Sequence, residues 1–253
     1  MDFLCSDART RVAVCGRRSG KTTVATAIIY LAAVSKPDQE IWAVATTYNQ
    51  AKKLYFKELK QMIPKAWISN INKTDLSIEL INGSLITLKG ANNPDSLLGS
   101  GLDLLIVDEY QSQDEELLDY LRPMLSDRLG KLVIIGTARG FNHLYNEYKK
   151  GDHKNPDRLP DYESFLVTTE TAGVVPQSEI DHARNTMDEK MFAQEFCASF
   201  ENMAGRVYYN FSPDEGGNVR PLQEDRRLPI FIGMDFNVDN MNAVICQTPT
   251  SVS

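Results

Sequence analysis

Val12-Ala13-Val14-Cys15-Gly16-Arg17-Arg18-Ser19-Gly20-Lys21-Thr22-Thr23 is the stretch that decides the fold of this chain. A short apolar run enters a glycine loop. The loop ends in Gly20-Lys21-Thr22 at the head of a helical pattern, Val24 to Ile29. The run reads as a buried strand, and the glycines leave backbone N–H groups free to wrap an anion. Lys21 is placed to reach β- and γ-phosphates and Thr22 to offer a hydroxyl to Mg²⁺, while the helix turns its positive end toward them. The expected nucleotide-binding set is therefore Gly16, Arg17, Arg18, Ser19, Gly20, Lys21, Thr22 and Thr23. The pattern is offset, because Cys15 stands where the usual opening glycine would be. The plainer alternative is a glycine turn with an exposed lysine, and the strand and helix on either side argue against it.

A phosphate cradle needs an acidic partner. Leu104-Leu105-Ile106-Val107-Asp108-Glu109 is an apolar run ending in two carboxylates. Strands buried on both faces read this way, and ligands bind beyond the carboxyl ends of parallel strands. Asp108 is expected to hold Mg²⁺ through water and Glu109 to orient or deprotonate the attacking water. The alternative is a strand followed by a solvated acidic turn. A third run, Leu132–Ile135, leads into Gly136-Thr137-Ala138-Arg139-Gly140. A hydroxyl there, on Thr137, can respond to the γ-phosphate.

Taken together these residues resemble the large terminase subunit of tailed bacteriophages, an ATPase motor that packages viral DNA. The resemblance is carried by Gly16 to Thr22, Ala45-Thr46-Thr47-Tyr48-Asn49-Gln50-Ala51-Lys52, Asn93-Pro94-Asp95-Ser96, Ile106 to Tyr110 and Gly136 to Gly140. Gln194-Glu195-Phe196 and Gly205-Arg206-Val207-Tyr208-Tyr209 extend it. It implies a P-loop NTPase of the RecA-like, ASCE class, an α/β fold with a mainly parallel sheet, helices on both faces and a β-hairpin annex. It implies ATP and Mg²⁺ as ligands. Lys21, Arg17, Glu109 and Thr137 are the implied catalytic set, with Arg17 by the γ-phosphate and Thr137 coupling hydrolysis to motion. Double-stranded DNA, a portal and a small terminase subunit are the implied partners, in a ring of copies of this chain. Two features depart from the family. Leu98 stands where relatives carry an arginine that enters the neighbouring subunit's site, so either Arg17, Arg128 or Arg139 substitutes or the isolated chain hydrolyses slowly. No glutamine precedes the loop to read adenine, the first being Gln39, so base recognition is either absent or uses Phe3 or other N-terminal residues.

Residues 1–200 are expected to form the motor and 201–228, rich in Gly, Asn, Pro and charge, a linker. Residues 229–253 resemble the opening strands of the ribonuclease H-like nuclease that follows the motor in terminases. Asp235 is that domain's expected first metal ligand. Two-metal cleavage needs several carboxylates and only Asp239 follows, so no nuclease activity is expected of this chain alone, although its parent is expected to be an endonuclease.

Composition sets the bounds. The chain has 253 residues, 42% hydrophobic and 24% charged, which suits one sizeable α/β domain with a small appendage. No apolar run approaches the ~20 residues that span a bilayer. Cys5, Cys15, Cys197 and Cys246 are scattered without metal or disulfide spacing, as in a reducing host cytoplasm. His143, His153 and His182 read as surface residues. The net charge of −7 allows DNA contact only through local basic segments: Lys52, Lys53, Lys57 and Lys60 on one helix, and Lys149, Lys150, Lys154 and Arg158 in a loop. Solvated polar faces are the plainer reading of both.

Strands are expected at 12–15, 41–45, 77–81, 85–89 and 165–168 besides the two acidic and glycine-tipped runs. Asn82-Gly83 signals a hairpin. Helices are expected at 21–34 and 49–62. Ser112 with Glu115 reads as a capping box for a helix to about Leu125. The stretch 176–200 reads as helical, with Phe192, Phe196 and Phe200 on one face. A helicase or remodelling ATPase, and a nucleotide-binding assembly switch without turnover, are the competing functional readings.

Overall fold

The structure, a computed structural model, describes residues 2–92, 97, 99, 101–201, 227–235 and 242–247. The chain divides into two compact units, Met1–Ala204 and Gly205–Ser253.

In the first unit a short helix α1 (Asp2–Cys5) precedes β1 (Thr10–Cys15), the glycine loop and α2 (Lys21–Ser35). β2 (Glu40–Ala45) follows, then a helical stretch of three joined parts: α3 (Tyr48–Ala51), a π-helical turn (Lys52–Phe56) and α4 (Lys57–Met62). Next come β3 (Ile68–Asn72), β4 (Ser77–Leu80), β5 (Leu85–Gly90) and β6 (Leu104–Val107). A 3₁₀ turn (Tyr110–Ser112), α5 (Leu117–Leu121), a second 3₁₀ turn (Arg122–Leu125) and β7 (Lys131–Gly136) lead to α6 (His143–Gly151) and β8 (Tyr162–Val167). The unit closes with α7 (Thr169–Ala172), α8 (Gln177–Thr186) and α9 (Glu189–Cys197).

The strands form one sheet in the order β3-β4-β5-β2-β6-β7-β1-β8. Every pairing from β5 to β8 is parallel, and β3-β4 and β4-β5 are antiparallel. The Asn82-Gly83 hairpin forms as its turn signal predicts, with Gly83 at φ +84°. It is continuous with the main sheet, because β5 pairs in parallel with β2 from Glu40↔Leu85 to Ala45↔Gly90.

Side-chain alternation divides the core into two layers. Ala13, Ala43, Ile106 and Val133 face α2 and the 48–62 helix, together with Ile29, Tyr55 and Leu59. Val12, Val44, Leu105 and Ile134 face the other way, with Leu118, Leu121 and Leu144. Both faces are covered, which is why β1 and β6 are buried at every position and Val12–Cys15 and Leu104–Val107 read as apolar runs, with Thr10 and Arg11 the buried polar residues at the start of β1. The parallel direction sends the carboxyl ends of β2, β6, β7 and β1 to one edge, where the three motif loops emerge. β7 lies between β1 and β6, with Val14↔Gly136 and Val107↔Ile134 in register.

Four local expectations give way in the structure. No capping box forms at Ser112 and Glu115: the Ser112 N–H is held by the Glu109 carbonyl at 2.9 Å, and the Tyr110 hydroxyl donates to the Glu115 carbonyl at 3.1 Å. The helix therefore starts only at Leu117. The 176–200 stretch breaks at Met187, and Asp188 caps α9 by accepting from the N–H groups of Lys190 and Met191. Phe192 and Phe196 stack at 5.1 Å, but Ala198 turns left-handed at φ +55° and sends Phe200 onto Tyr145 and Tyr148 instead. Lys149 and Lys150 lie on α6 and pair with Asp152 at 2.8 Å and Glu147 at 2.6 Å, which explains their charge without a ligand.

In the second unit β9 (Ile230–Asp235) and β10 (Asn242–Gln247) form an antiparallel pair, Asp235 opposite Asn242. Most of the expected linker lies outside the described residues, as do Asn93–Ser96, Leu98, Gly205–Tyr209 and Asp239. Among the described residues no helix is long and apolar enough to cross a membrane.

Candidate functional site

The glycine loop is held by its neighbours at its first two residues. The Gly16 N–H donates to the Val167 carbonyl at 2.8 Å, and the Arg17 N–H to the Glu195 carbonyl at 2.7 Å. The Thr169 hydroxyl donates to the Arg17 carbonyl at 2.8 Å. A Cβ on Gly16 would lie 2.6 Å from Thr169 Oγ1 and 2.7 Å from the Phe196 carbonyl oxygen, so α7 and the end of α9 pack directly on bare backbone. This is why glycine stands at 16, whatever the residue at 15. Cys15 is buried, and burial pushes its thiol up to about 11, which leaves it protonated and unreactive. Arg18 at φ +55° and Gly20 at φ +81° adopt the left-handed conformation that curls the loop. Lys21 follows at the first position of α2.

Lys21 reaches across the sheet edge. Its Nζ donates to Thr137 Oγ1 at 2.8 Å and lies 3.6 Å from Glu109 Oε1. The tips of β1, β6 and β7 therefore meet at one ammonium group. Asp108 is 3% exposed. Its Oδ2 accepts the Tyr55 hydroxyl at 2.7 Å and its Oδ1 accepts the Glu109 N–H at 2.9 Å. Burial pushes the Asp108 carboxyl up to about 6, against the pull of those two donors and Lys21. Glu109 sits in the left-handed region at φ +50°, a conformation that a non-glycine residue holds only where its surroundings impose it. The Gln111 side chain does part of that work. Its amide N–H donates to Glu109 Oε2, and its amide oxygen accepts the Thr137 N–H at 3.1 Å.

These residues line a cavity of about 960 Å³. Arg17, Arg18, Lys21, Asp108, Glu109 and Thr137 all open onto it. Gly16, Ser19, Gly20, Thr22 and Thr23 belong to the loop and first helical turn that carry Arg17, Arg18 and Lys21. The Arg17 guanidinium is paired with the Glu195 carboxylate of α9. Arg139 also lines the cavity, whereas Arg128 lies near the opposite ends of the strands, bound to Asp103 at 2.9 Å and the Asp38 carbonyl at 3.1 Å. Within one chain, Arg17 and Arg139 remain as candidates for a charge-stabilising guanidinium. Phe3 stacks edge-on against Phe165 at 5.2 Å and packs on the core, away from the cavity. Gln39 immediately precedes β2, at the far end from the site. Asp235 belongs to the second unit as the last residue of β9.

Tyr55, Gln111, Thr169 and Glu195 escape a reading of the sequence for function. Gln194-Glu195-Phe196 stands out as a segment, but its contact with the loop is 178 residues away in sequence. Gln111 carried a signal of position alone, two residues past the acidic pair.

Comparison with known proteins places these observations in a family. The family model described as terminase large subunit, T4likevirus-type, N-terminal, matches residues 12–212. The chain is 29% identical over 239 residues to the terminase large subunit of Escherichia phage T5, covering 90% of this chain and 53% of the relative. It is 25% identical over 268 residues to that of Thermus phage G20c, covering 91% and 55%. The chain spans about half the length of these curated relatives. Among solved structures, the large terminase ATPase domain of Thermus phage P74-26 superposes with a TM-score of 0.69 at 25% identity, covering 78% of this chain and 90% of that one. The large terminase of a thermophilic bacteriophage, in complex with ADP, shares the fold with a TM-score of 0.66 at 16% identity, covering 96% and 60%.

Proposed function

This chain belongs to the large terminase subunit family, and from that premise we propose that it is an ATP-hydrolysing motor that drives double-stranded DNA into a procapsid. The observation that carries the proposal is the convergence of Lys21, Thr137 and Glu109, at 2.8 and 3.6 Å, beside the buried Asp108. Lys21 neutralises Glu109 and occupies the Thr137 hydroxyl. A triphosphate in the loop draws the ammonium onto its β- and γ-oxygens. Glu109 is then left to orient the attacking water, at a geometry fixed by Gln111. Thr137, released from Lys21, passes the change to β7 and the segment beyond it. Arg17, at the cavity rim, exchanges Glu195 for the γ-phosphate.

Asp108 fits a role as the Mg²⁺ carboxylate. Each of its oxygens has one donor and keeps a second lone pair. Mg²⁺ is commonly bound by one or two carboxylates together with substrate phosphates, which suits a protein with no cluster of three or more metal-ligating side chains among the described residues. Asp108 and the Thr22 hydroxyl would hold the ion, which neutralises charge on the β- and γ-phosphates.

The partners follow from family membership: double-stranded DNA, a portal, a small terminase subunit, and further copies of this chain in a ring, acting in the host cytoplasm. The β9–β10 pair with Asp235 at its end suits the opening of a nuclease domain in a longer parent. Phosphate release by the wild type and by Glu109→Gln tests the central claim, with nucleotide titration of Lys21→Ala beside it. Hydrolysis lost in the glutamate variant with binding retained, and binding lost in the lysine variant, is the expected result. Nucleotide binding without hydrolysis by the wild type, even with DNA and a portal, would favour an assembly switch. Strand separation by this chain would favour a helicase.

A further inference from the structure

Tyr55 is 1% exposed and spends its one hydroxyl proton on Asp108 Oδ2 at 2.7 Å, from a position 53 residues away in sequence. The helix carrying it is irregular. Ala51, Tyr55, Leu59 and Ile63 are all buried, a strict spacing of four. In an α-helix of 3.6 residues per turn that row would drift by about 40° at each step. The π-helical turn Lys52–Phe56 is wound more widely and offsets the drift, keeping the row on the sheet. Such turns recur at functional sites. The same helix also touches α2 at Thr26, one turn past Thr22. Glu58, one turn beyond Tyr55, accepts the Thr26 hydroxyl at 3.2 Å, and that hydroxyl lies 2.8 Å from the Thr22 carbonyl.

We propose that Tyr55 is a positioning residue for metal–nucleotide binding. It fixes the rotation of the Asp108 carboxylate, and the π-helical turn is the device that brings it there. This rests on the reading of Asp108 as the Mg²⁺ carboxylate. Outer partners of metal ligands generally contribute about 10- to 100-fold to metal affinity.

The test is Tyr55→Phe, which keeps the ring and removes only the hydroxyl. Mn²⁺ serves as a paramagnetic probe, and its binding in the presence of ADP is followed by electron paramagnetic resonance. The expected result is Mn²⁺ affinity weakened about 10-fold, with metal-free ADP affinity unchanged. A second variant, Leu59→Ala, loosens the same helix without touching Asp108, and should lower the melting temperature while leaving Mn²⁺ affinity in place. Equal Mn²⁺ affinity in wild type and Tyr55→Phe, or equal weakening by both variants, overturns the assignment but leaves the nucleotide site standing. A wild type that binds no Mn²⁺ with ADP overturns the nucleotide reading and this inference together.

Discussion

Gly16→Ala places a single methyl group where the glycine loop meets the closing helices. The new Cβ would stand 2.6 Å from Thr169 Oγ1, 2.7 Å from the Phe196 carbonyl oxygen and 2.8 Å from the Thr169 nitrogen. Ordinary van der Waals contact begins near 3.4 Å, so the shortest of these falls 0.8 Å short. Two of the three atoms are backbone, and the third, a hydroxyl oxygen, is committed to the Arg17 carbonyl. None can swing away as a flexible side chain would. Overpacking of this kind costs about 1–3 kcal/mol. For a unit of this size, about 2 kcal/mol corresponds to a fall of about 4–8 °C in melting temperature. Relief comes from parting α7 and α9 from the loop, which also strains the Arg17 N–H bond to Glu195. Nucleotide affinity should therefore fall together with stability. Gly173→Ala is the matched control: nothing lies within 4 Å of its Cβ, and the only cost is its left-handed backbone at φ +66°. It should lower the melting temperature without altering nucleotide affinity. Scanning calorimetry and ATP titration of both variants decide the matter. Unchanged melting and affinity in Gly16→Ala would refute the argument that close approach, rather than loop flexibility, requires glycine there.

Gln111→Leu should leave nucleotide affinity intact and lower kcat by up to about 100-fold, since Glu109 and Thr137 lose their shared clamp; single-turnover hydrolysis reads this, and an unaltered rate refutes it. The Asp108 carboxyl, held at about 6 by burial, takes up a proton in the folded chain at pH values where the unfolded chain has released it. The metal-free protein thus loses stability as pH rises from about 4 to about 6, and Asp108→Asn should gain over the wild type across that window in calorimetry. Mn²⁺–ADP affinity needs the carboxylate and should rise over the same range; affinity independent of pH there would count against Asp108 as the metal carboxylate. Glu195→Gln frees Arg17, which is 70% exposed by side chain, so stability should change by less than about 1 kcal/mol. ATPγS should bind this variant more tightly relative to ADP, and an unchanged ratio in competition titrations would exclude Arg17 from the γ-phosphate.

The residues that converge at the sheet edge, Lys21, Asp108, Glu109 and Thr137, could be picked out in sequence because the motifs that carry them are short and local. A strand buried on both faces must be apolar throughout, so Val12–Cys15 and Leu104–Val107 announce themselves, and the residues that follow each are necessarily at a sheet edge. Gly20, Lys21 and Thr22 suggest a phosphate loop only together with the strand before them and the helix after them. The acidic pair Asp108-Glu109 declares itself by ending the run. Short-range signals failed where a nearby group or a single left-handed residue redirected the chain. Ser112 and Glu115 have the letters of a capping box, but the Glu109 carbonyl holds the Ser112 N–H and the Tyr110 hydroxyl takes the Glu115 carbonyl. Phe200 keeps the spacing of Phe192 and Phe196, yet one left-handed residue at Ala198 sends it elsewhere.

The amino-acid order alone pointed to the mainly parallel α/β architecture, the glycine loop before α2 and the carboxylates that end β6, because each depends on periodicity or on residues adjacent in the chain. Folding decided how those partners are held. Tyr55 reaches Asp108 across 53 residues and Glu195 reaches Arg17 across 178, and such pairs leave no trace in local pattern. A buried carboxylate needs donors, but any hydroxyl or amide that the fold brings within about 3 Å can satisfy it. Which one does so is settled only when strand order and helix winding are fixed in three dimensions.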